Sequence, residues 1–285
     1  MRLFLLTSLT MMAFAANSVL NRAALVTGDM TALQFSAIRA MSGAMMLLVL
    51  VLWQSGNLAR LRAASITGGA MLALYLVGFS IAYTHMDSGV GALILFGGVQ
   101  ITMFGSALIA RESIPLQRWV GAALAFAGLV VLVWPSDYSG SWVHAEIFMG
   151  LAALGWGIYS LLGRGAKDPL AATAGNFAYA CLPVGVALMM LDGLRIPELT
   201  IALFYAVLSG AITSGLGYAL WYQLLPQLRT SIAAIAQLSV PLIAAAGGVI
   251  FLSEATDNRF WVAAFLVLGG IALSLFPSWK RLSNS

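Results

Sequence analysis

The sequence predicts an all-α integral membrane protein of ten transmembrane helices, arranged as two inverted five-helix repeats. Three observations predict it. The 285 residues carry only 14 Lys and Arg and 10 Asp and Glu against a hydrophobic fraction of 61%, about a third of the charge usual in soluble domains, and the mean hydropathy is +0.95. A soluble globule of this length could not coat its surface with so few charges. Apolar runs of spanning length recur with short polar breaks, and at about 20 apolar residues per spanning helix the chain has room for roughly ten and for no sizeable soluble domain. Finally, the chain matches itself at an offset of 142 residues, almost half its length.

Taken in order, the apolar segments are 3–21, 32–54, 64–83, 88–110, 117–134, 146–163, 170–191, 200–222, 231–252 and 260–277. The first follows Arg2 and contains Ala13-Phe14-Ala15, so it imitates a cleavable secretory signal. Its apolar stretch runs on to Leu20, beyond that site, and the repeat needs it, so it is expected to remain as the first span. Turn-forming and charged residues separate the others, among them Gly28-Asp29, Ser55-Gly56-Asn57, Met86-Asp87, Pro135-Ser136-Asp137, Lys167-Asp168-Pro169, Asp192-Gly193 and Asp257-Asn258.

With the amino terminus in the cytoplasm, ten of the 14 basic residues fall on the cytoplasmic side, and only Arg22, Arg195 and Arg259 fall outside. Of the acidic residues, Glu112 and Asp168 fall inside and the rest outside. This is the positive-inside pattern, and it predicts a multi-pass membrane protein with both termini cytoplasmic. The pI near 9.5 is therefore an orientation signal. A nucleic-acid partner is not expected, because such binding needs Lys and Arg clustered on a solvated face. The single Cys181 lies in an apolar run, so neither a disulfide framework nor a thiolate metal site is expected.

The 142-residue offset sets Glu112 on Glu254, Trp119 on Trp261, Gly128 on Gly270, Pro135 on Pro277, Arg22 on Arg164 and Phe35 on Phe177. Rare residues in register carry the match, since apolar sequences produce Ala and Leu identities by chance. The halves are 1–142 and 143–285, with five spans each, so equivalent helices cross in opposite directions. Inverted repeats are the architecture of secondary transporters, with the substrate site near the midplane between the halves. A channel or a receptor-like bundle is the alternative. One chain contains both halves, so a monomer suffices and a dimer is left open. Lipid bilayer and a small-molecule substrate are the expected partners.

Other activities lack their residues. There is no G-x-x-x-x-G-K-[ST] loop for ATP, no span contains Asp or Glu to carry a proton-exchanging carboxylate, and no protease arrangement is present. No cofactor, metal site or enzyme activity is expected. His85 and His144 lie at expected outer ends, where His85 could join a titratable gate.

Arg39 is the one charge inside a span, about 10 Å from its outer end at ~1.5 Å per residue. It is a candidate partner for a substrate carboxylate, with a structural hydrogen bond or snorkelling toward Asp29 as the alternative. Neutral polar and aromatic candidates for substrate binding are Asn17, Tyr75, Tyr83, Phe96, Gln100, Trp156, Tyr159, Asn176, Tyr179 and Gln237, with Tyr218 and Trp221 beside them. Amides and hydroxyls solvate a zwitterion without net charge, and rings offer stacking and cation–π contact. Trp156 and Tyr159, three apart in the sixth span, share one helix face. Trp53, Trp134, Trp142, Trp279 and Trp221 are expected in interfacial belts. Gly97 and Gly98 in the fourth span and Pro241 in its repeat partner are candidate gating hinges.

The segment ARESIPLQRWVGAALAFAGLVVLV (110–133) and its counterpart PLIAAAGGVIFLSEATDNRFWVAAFLVLGGIAL (241–273) resemble the tail of the EamA domain of the drug/metabolite transporter superfamily. Arg22 and Arg164, closing the first helix of each half, and Arg39 in the second helix fit the same pattern. The resemblance spans the chain as two tandem domains and implies a non-ATP secondary transporter. Within the superfamily the chain looks most like the amino-acid exporters, particularly the YddG-type exporters of aromatic amino acids. This implies export of amino acids by alternating access, with another metabolite, a purine or a cationic drug, as the runner-up. One position departs from the pattern: Val99 stands where a proline is common in first-half copies, as Pro241 stands in the second, so a bend there must come from glycine.

Overall fold

The computed structural model describes residues 1–111, 114–133, 140–163, 165–193, 198–228 and 230–275, without the side chains of residues 133, 140–142, 230–235 and 275. Glu112, Trp134, Pro135, Asp137, Arg164, Arg195, Arg229, Pro277, Trp279, Lys280 and Arg281 lie outside the described residues, as does the Trp142 side chain.

The described residues form helices and connections, with no strand among them. The helices are α1 (Arg2–Val26), α2 (Ala32–Ser55), α3 (Ile66–Ala82), α4 (Ser88–Ile109), α5 (Leu116–Val133), α6 (Gly140–Gly163), α7 (Pro169–Leu191), α8 (Ile201–Leu208), α9 (Gly217–Leu224), α10 (Thr230–Leu252) and α11 (Asn258–Leu275). A π-helical stretch, Ser209–Leu216, joins α8 to α9 in one rod. Among the described residues six rods are long and apolar enough to cross a membrane: α1, α2, α4, α6, α7 and α8–α9. α3, α5 and α11, of 17, 18 and 18 residues, and α10, of 23, are apolar helices as well.

Short polar caps let these apolar helices begin and end abruptly. Thr31 opens α2 with a capping box: its hydroxyl accepts from the Gln34 N–H at 3.1 Å, and the Gln34 side chain accepts from the Thr31 N–H at 3.0 Å. Ser65 caps α3, accepting from the Gly68 N–H at 2.9 Å. Asp168 caps α7, with Pro169 in the first turn, where its missing N–H costs nothing. Two features depart from the expected segments. A 3-10 turn, Leu58–Ala63, carries Arg60 and Arg62 between α2 and α3. In addition, α1 continues past Arg22 to Val26, because Arg22 is held there by the Tyr83 and Thr84 carbonyls at 3.1 and 2.9 Å.

α5 packs on α11, α2 on α7, α3 on α6 and α7, and α4 on α6 and α10; α1 packs on α10 and on the α8–α9 rod. The α5–α11 contact brings backbones together: a Cβ added to Gly121 or to Gly270 would strike the other's carbonyl oxygen, and one on Gly128 would lie 3.0 Å from the Ala263 carbonyl. Small residues permit this approach. The outside is apolar, with Phe4, Leu5, Met12, Met45, Ile250, Phe251 and Phe265 all exposed. A soluble monomer does not present such a surface. The interior reverses the usual order, because Arg39 is the largest of the fully buried side chains.

Candidate functional site

A cavity of about 280 Å³ lies between α4, α6, α9 and α10. It runs from Phe96, Gln100 and Trp156 at mid-helix to Ala166, Leu225 and Pro226 in the connections at one end of the bundle. That is the end where Arg60 bonds Asp168 at 2.7 Å, and the hydrogen bond from Arg60 holds the Asp168 carboxyl below the usual carboxylate range. The wall is aromatic and amide: Phe96, Trp156, Trp221 and Tyr222 with Gln100, Gln237 and Ser160, and no charged side chain among the described residues. Its volume falls just below the roughly 300–1,000 Å³ of drug-sized pockets, which suits a small metabolite. Two larger grooves, near Met41 and Met45 and near Leu9 and Trp53, lie on the outer surface among exposed side chains.

Phe96 and Trp156 also line a second space, a chamber of about 10 Å³ between Asn17, Tyr75 and Tyr218. Trp156 is the hub, with ring centroids of Tyr218, Tyr75 and Tyr159 at 4.8, 5.0 and 5.6 Å. Behind the chamber Arg39 donates from Nη2 to the Tyr75 and Tyr218 hydroxyls at 3.0 and 3.1 Å, and from Nε to the Ser214 hydroxyl at 2.9 Å. Ser214 passes the chain on: it donates to Asn17 Oδ1 at 3.1 Å, as do Ser209 at 2.9 Å and Thr213 at 2.6 Å. Three hydroxyls converging on one carbonyl oxygen coincide with the π stretch. π turns of this kind are often found at functional sites.

At the opposite end α1 is tied to two connections. Arg22 reaches Asp87 at 3.8 Å and Glu254 at 3.7 Å. Glu254 in turn accepts from the Ser88 N–H at 2.9 Å and the Ser88 hydroxyl at 3.0 Å, and the Tyr83 hydroxyl donates to the Ser88 carbonyl at 3.1 Å. The latch ties α1, the α3–α4 connection and the α10–α11 connection. Burial pushes the Glu254 carboxyl above the ordinary range, against the pull of Ser88 and Arg22, and pushes Asp87 up against Arg22.

Of the sequence candidates, the structure gathers Phe96, Gln100, Trp156 and Gln237 around the cavity and Asn17, Tyr75, Phe96 and Trp156 around the chamber, with Arg39 behind it. Tyr83 belongs to the latch, and Tyr159 is buried beside Trp156 and Tyr222. Asn176 lines neither space; its carbonyl accepts from the Ser65 N–H at 3.0 Å and fixes the start of α3. Tyr179 lines neither and is 48% exposed, on the outer surface against Gly69. Arg39 does not snorkel toward Asp29, since it is fully buried and its bonds run inward. α4 runs unbroken through Gly97 and Gly98, which touch Leu129 and Ala153, and Pro241 is buried within α10. His85 is exposed and pairs with Thr84. Trp53 is 86% exposed, as an interfacial residue should be, but Trp221 is buried in the cavity wall and not in a belt. The reason is that the rod continues to Gln227, which draws Trp221 inward. Sequence reasoning missed the Ser209, Thr213 and Ser214 hydroxyls. Their spacing, i, i+4 and i+5 in an otherwise apolar run, was the available signal. Among the described residues no group of His, Cys, Asp and Glu could hold a metal.

A model of the EamA-like transporter family matches residues 144–276. A Pseudomonas aeruginosa protein named only as uncharacterised is 44% identical over 99% of this chain and 98% of its own. An Archaeoglobus fulgidus protein described as an uncharacterised transporter is 26% identical over 70% of this chain and 72% of its own. A Salmonella typhimurium protein named a probable amino-acid metabolite efflux pump is 25% identical over 67% and 68%. One solved crystal structure has the same fold, with a TM-score of 0.66 at 17% identity, covering 96% of this chain and 98% of that one.

Proposed function

Since the chain belongs to the EamA-like transporter family of the drug/metabolite transporter superfamily, we propose that it exports amino acids, aromatic and neutral ones above all, across the bacterial inner membrane by alternating access. It is a multi-pass membrane protein of a transporter family, and its relatives are transporters rather than enzymes. The Salmonella relative's name points to amino-acid metabolites and supports the substrate class. The YddG-type specificity for aromatic side chains rests on the cavity wall.

The observation that carries the proposal is the aromatic and amide-lined cavity, which reaches the connections at the Arg60 end and has none of the Arg22 latch residues in its wall. By the positive-inside reading the Arg60 end is cytoplasmic, so this is an inward-open state ready to load from the cell. A channel would need a path through both ends at once, and a cationic drug would want a carboxylate in the wall.

The packing supports ten crossings in two inverted repeats, 1–142 and 143–285. α3 on α6 has its counterpart in the α8–α9 rod on α1, and α4 on α6 has its counterpart in α10 on α1. The Gly121–Gly270 contact becomes Ala263–Gly128 when the halves are exchanged, and both contacts are made. Both termini are then cytoplasmic, and a monomer contains the whole path. Counterflow of labelled phenylalanine in proteoliposomes tests the proposal. A carrier shows stimulation by unlabelled phenylalanine on the far side; flux without such stimulation would identify a channel.

A further inference from the structure

Arg39 holds α2, α3 and the π stretch together through Tyr75, Tyr218 and Ser214. Its bonds also leave something over. Among the described residues no carboxylate pairs with it, its Nη1 has no hydrogen-bond partner, and the nearby rings of Tyr75 and Phe79, at 5.2 and 5.0 Å, offer only their quadrupoles. A buried ion without a counter-ion is strongly disfavoured unless something supplies the missing charge.

The hydroxyls lead to the same point. Tyr75 and Tyr218 each accept from Arg39, and the Tyr218 O–H donates to Tyr75 at 3.2 Å. Two hydroxyls have two protons, one of which this bond uses. With Tyr218 donating in this bond, the Tyr75 O–H has no acceptor among the described residues, and Tyr75 lines the chamber. Asn17, on the chamber's other wall, has its carbonyl oxygen taken by three hydroxyls, leaving its amide N–H groups as the group it can offer. The chamber is thus donor-rich, backed by an uncompensated positive charge, and about 10 Å³ in volume, the size of one water or one carboxylate oxygen.

We infer that this chamber is a carboxylate site. One oxygen of the substrate's carboxylate accepts from the Tyr75 hydroxyl, with the Arg39 charge behind it, and the rest of the molecule lies against Phe96 and Trp156 in the larger cavity. Arg39 acts through the tyrosines as a positioning residue. The inference rests on the exporter reading for its substrate, and it deepens that reading by assigning the amino acid's carboxylate to the chamber and its side chain to the larger cavity.

The test compares three ligands on the full-length protein: phenylalanine, 3-phenylpropionate, which lacks the amine, and phenethylamine, which lacks the carboxylate. Binding is read as thermal stabilisation in detergent, and flux as counterflow in proteoliposomes. The expected result is that both carboxylates stabilise the protein and phenethylamine does not. Tyr75→Phe should weaken both carboxylates about tenfold, the worth of one hydrogen bond to a charged group, and Arg39→Gln should weaken them further. If Arg39→Gln does not fold, Tyr75→Phe alone carries the test. Phenethylamine binding as tightly as phenylalanine would overturn the inference. So would a Tyr75→Phe variant that keeps full carboxylate binding, or one that weakens all three ligands equally, the signature of a structural role. Failure of the exporter reading looks different: 3-phenylpropionate binds and depends on Tyr75, yet no amino acid shows counterflow.

Discussion

Arg22 and Arg39 belong to neighbouring helices and sit in opposite electrical settings. Arg22 lies among two carboxylates and two backbone carbonyls, where acidic partners face its charge and tie α1 to the α3–α4 and α10–α11 connections. Arg39 lies deeper, among hydroxyls and rings, with no carboxylate partner among the described residues. On the proposed reading, an arginine with acidic partners serves closure, and one without them serves an anion that arrives and departs. The two carboxyl groups of the latch also differ from Asp168 at the far end: burial raises Glu254 and Asp87, whereas the Arg60 hydrogen bond lowers Asp168.

The strongest way to break the contrast is to give Arg39 the partner it lacks. Ser214→Asp places a carboxylate on the residue that Nε already touches. Phenylalanine counterflow should then fall about a hundredfold, the scale of losing an anchoring charge contact, while the protein still elutes as a folded species. Undiminished flux would mean that the Arg39 charge is not used by substrate.

A smaller effect is expected at the latch, and its sign follows from linkage. Glu254 and Asp87 bind protons more tightly when buried in the closed latch than when exposed by opening, so closure is favoured as the outer pH falls through their raised range and is weakened as it rises. The Asp168 contact has the opposite sense: its contribution is present above the ordinary carboxylate range and is lost as pH falls through its lowered one. Glu254→Gln should therefore imitate external acid and reduce opening on that side, read as slower labelling from the outside. Greater opening in acid would show that the Arg22 attraction outweighs the burial.

The smallest effect tests the repeat. Under the 142-residue offset Arg22, Ser88 and Glu254 fall on Arg164, Thr230 and Glu112. Glu112→Gln should shift access in the opposite sense to Glu254→Gln. A shift in the same sense would argue against inverted halves.

The parts of this account that were legible in the sequence are those written in one dimension. Charge scarcity, ten apolar runs and a lone arginine in one of them need no neighbours to be seen, and an amide or ring in an apolar run, such as Gln100, Gln237 or Trp156, stands out as readily. What depends on partners distant in the chain was not legible. Asn17 gathers hydroxyls from a helix in the other half of the sequence, and the π turn lies where they meet. Tyr179 and Trp221 exchanged their expected settings, because which face of a helix turns inward is decided by what packs against it. The Arg22–Glu254 contact joins residues that had been read as orientation signals and repeat marks, not as partners.

The most direct measurement of the central claim is sided access to Ser160, which lines the cavity. In a Cys181→Ala background, Ser160→Cys is exposed to a membrane-impermeant thiol reagent in inside-out and right-side-out vesicles. An alternating exporter resting inward-open predicts fast labelling from the cytoplasmic side and slow labelling from the outside, with the outside rate rising when phenylalanine drives turnover. Equal labelling from both sides, unchanged by substrate, would contradict it.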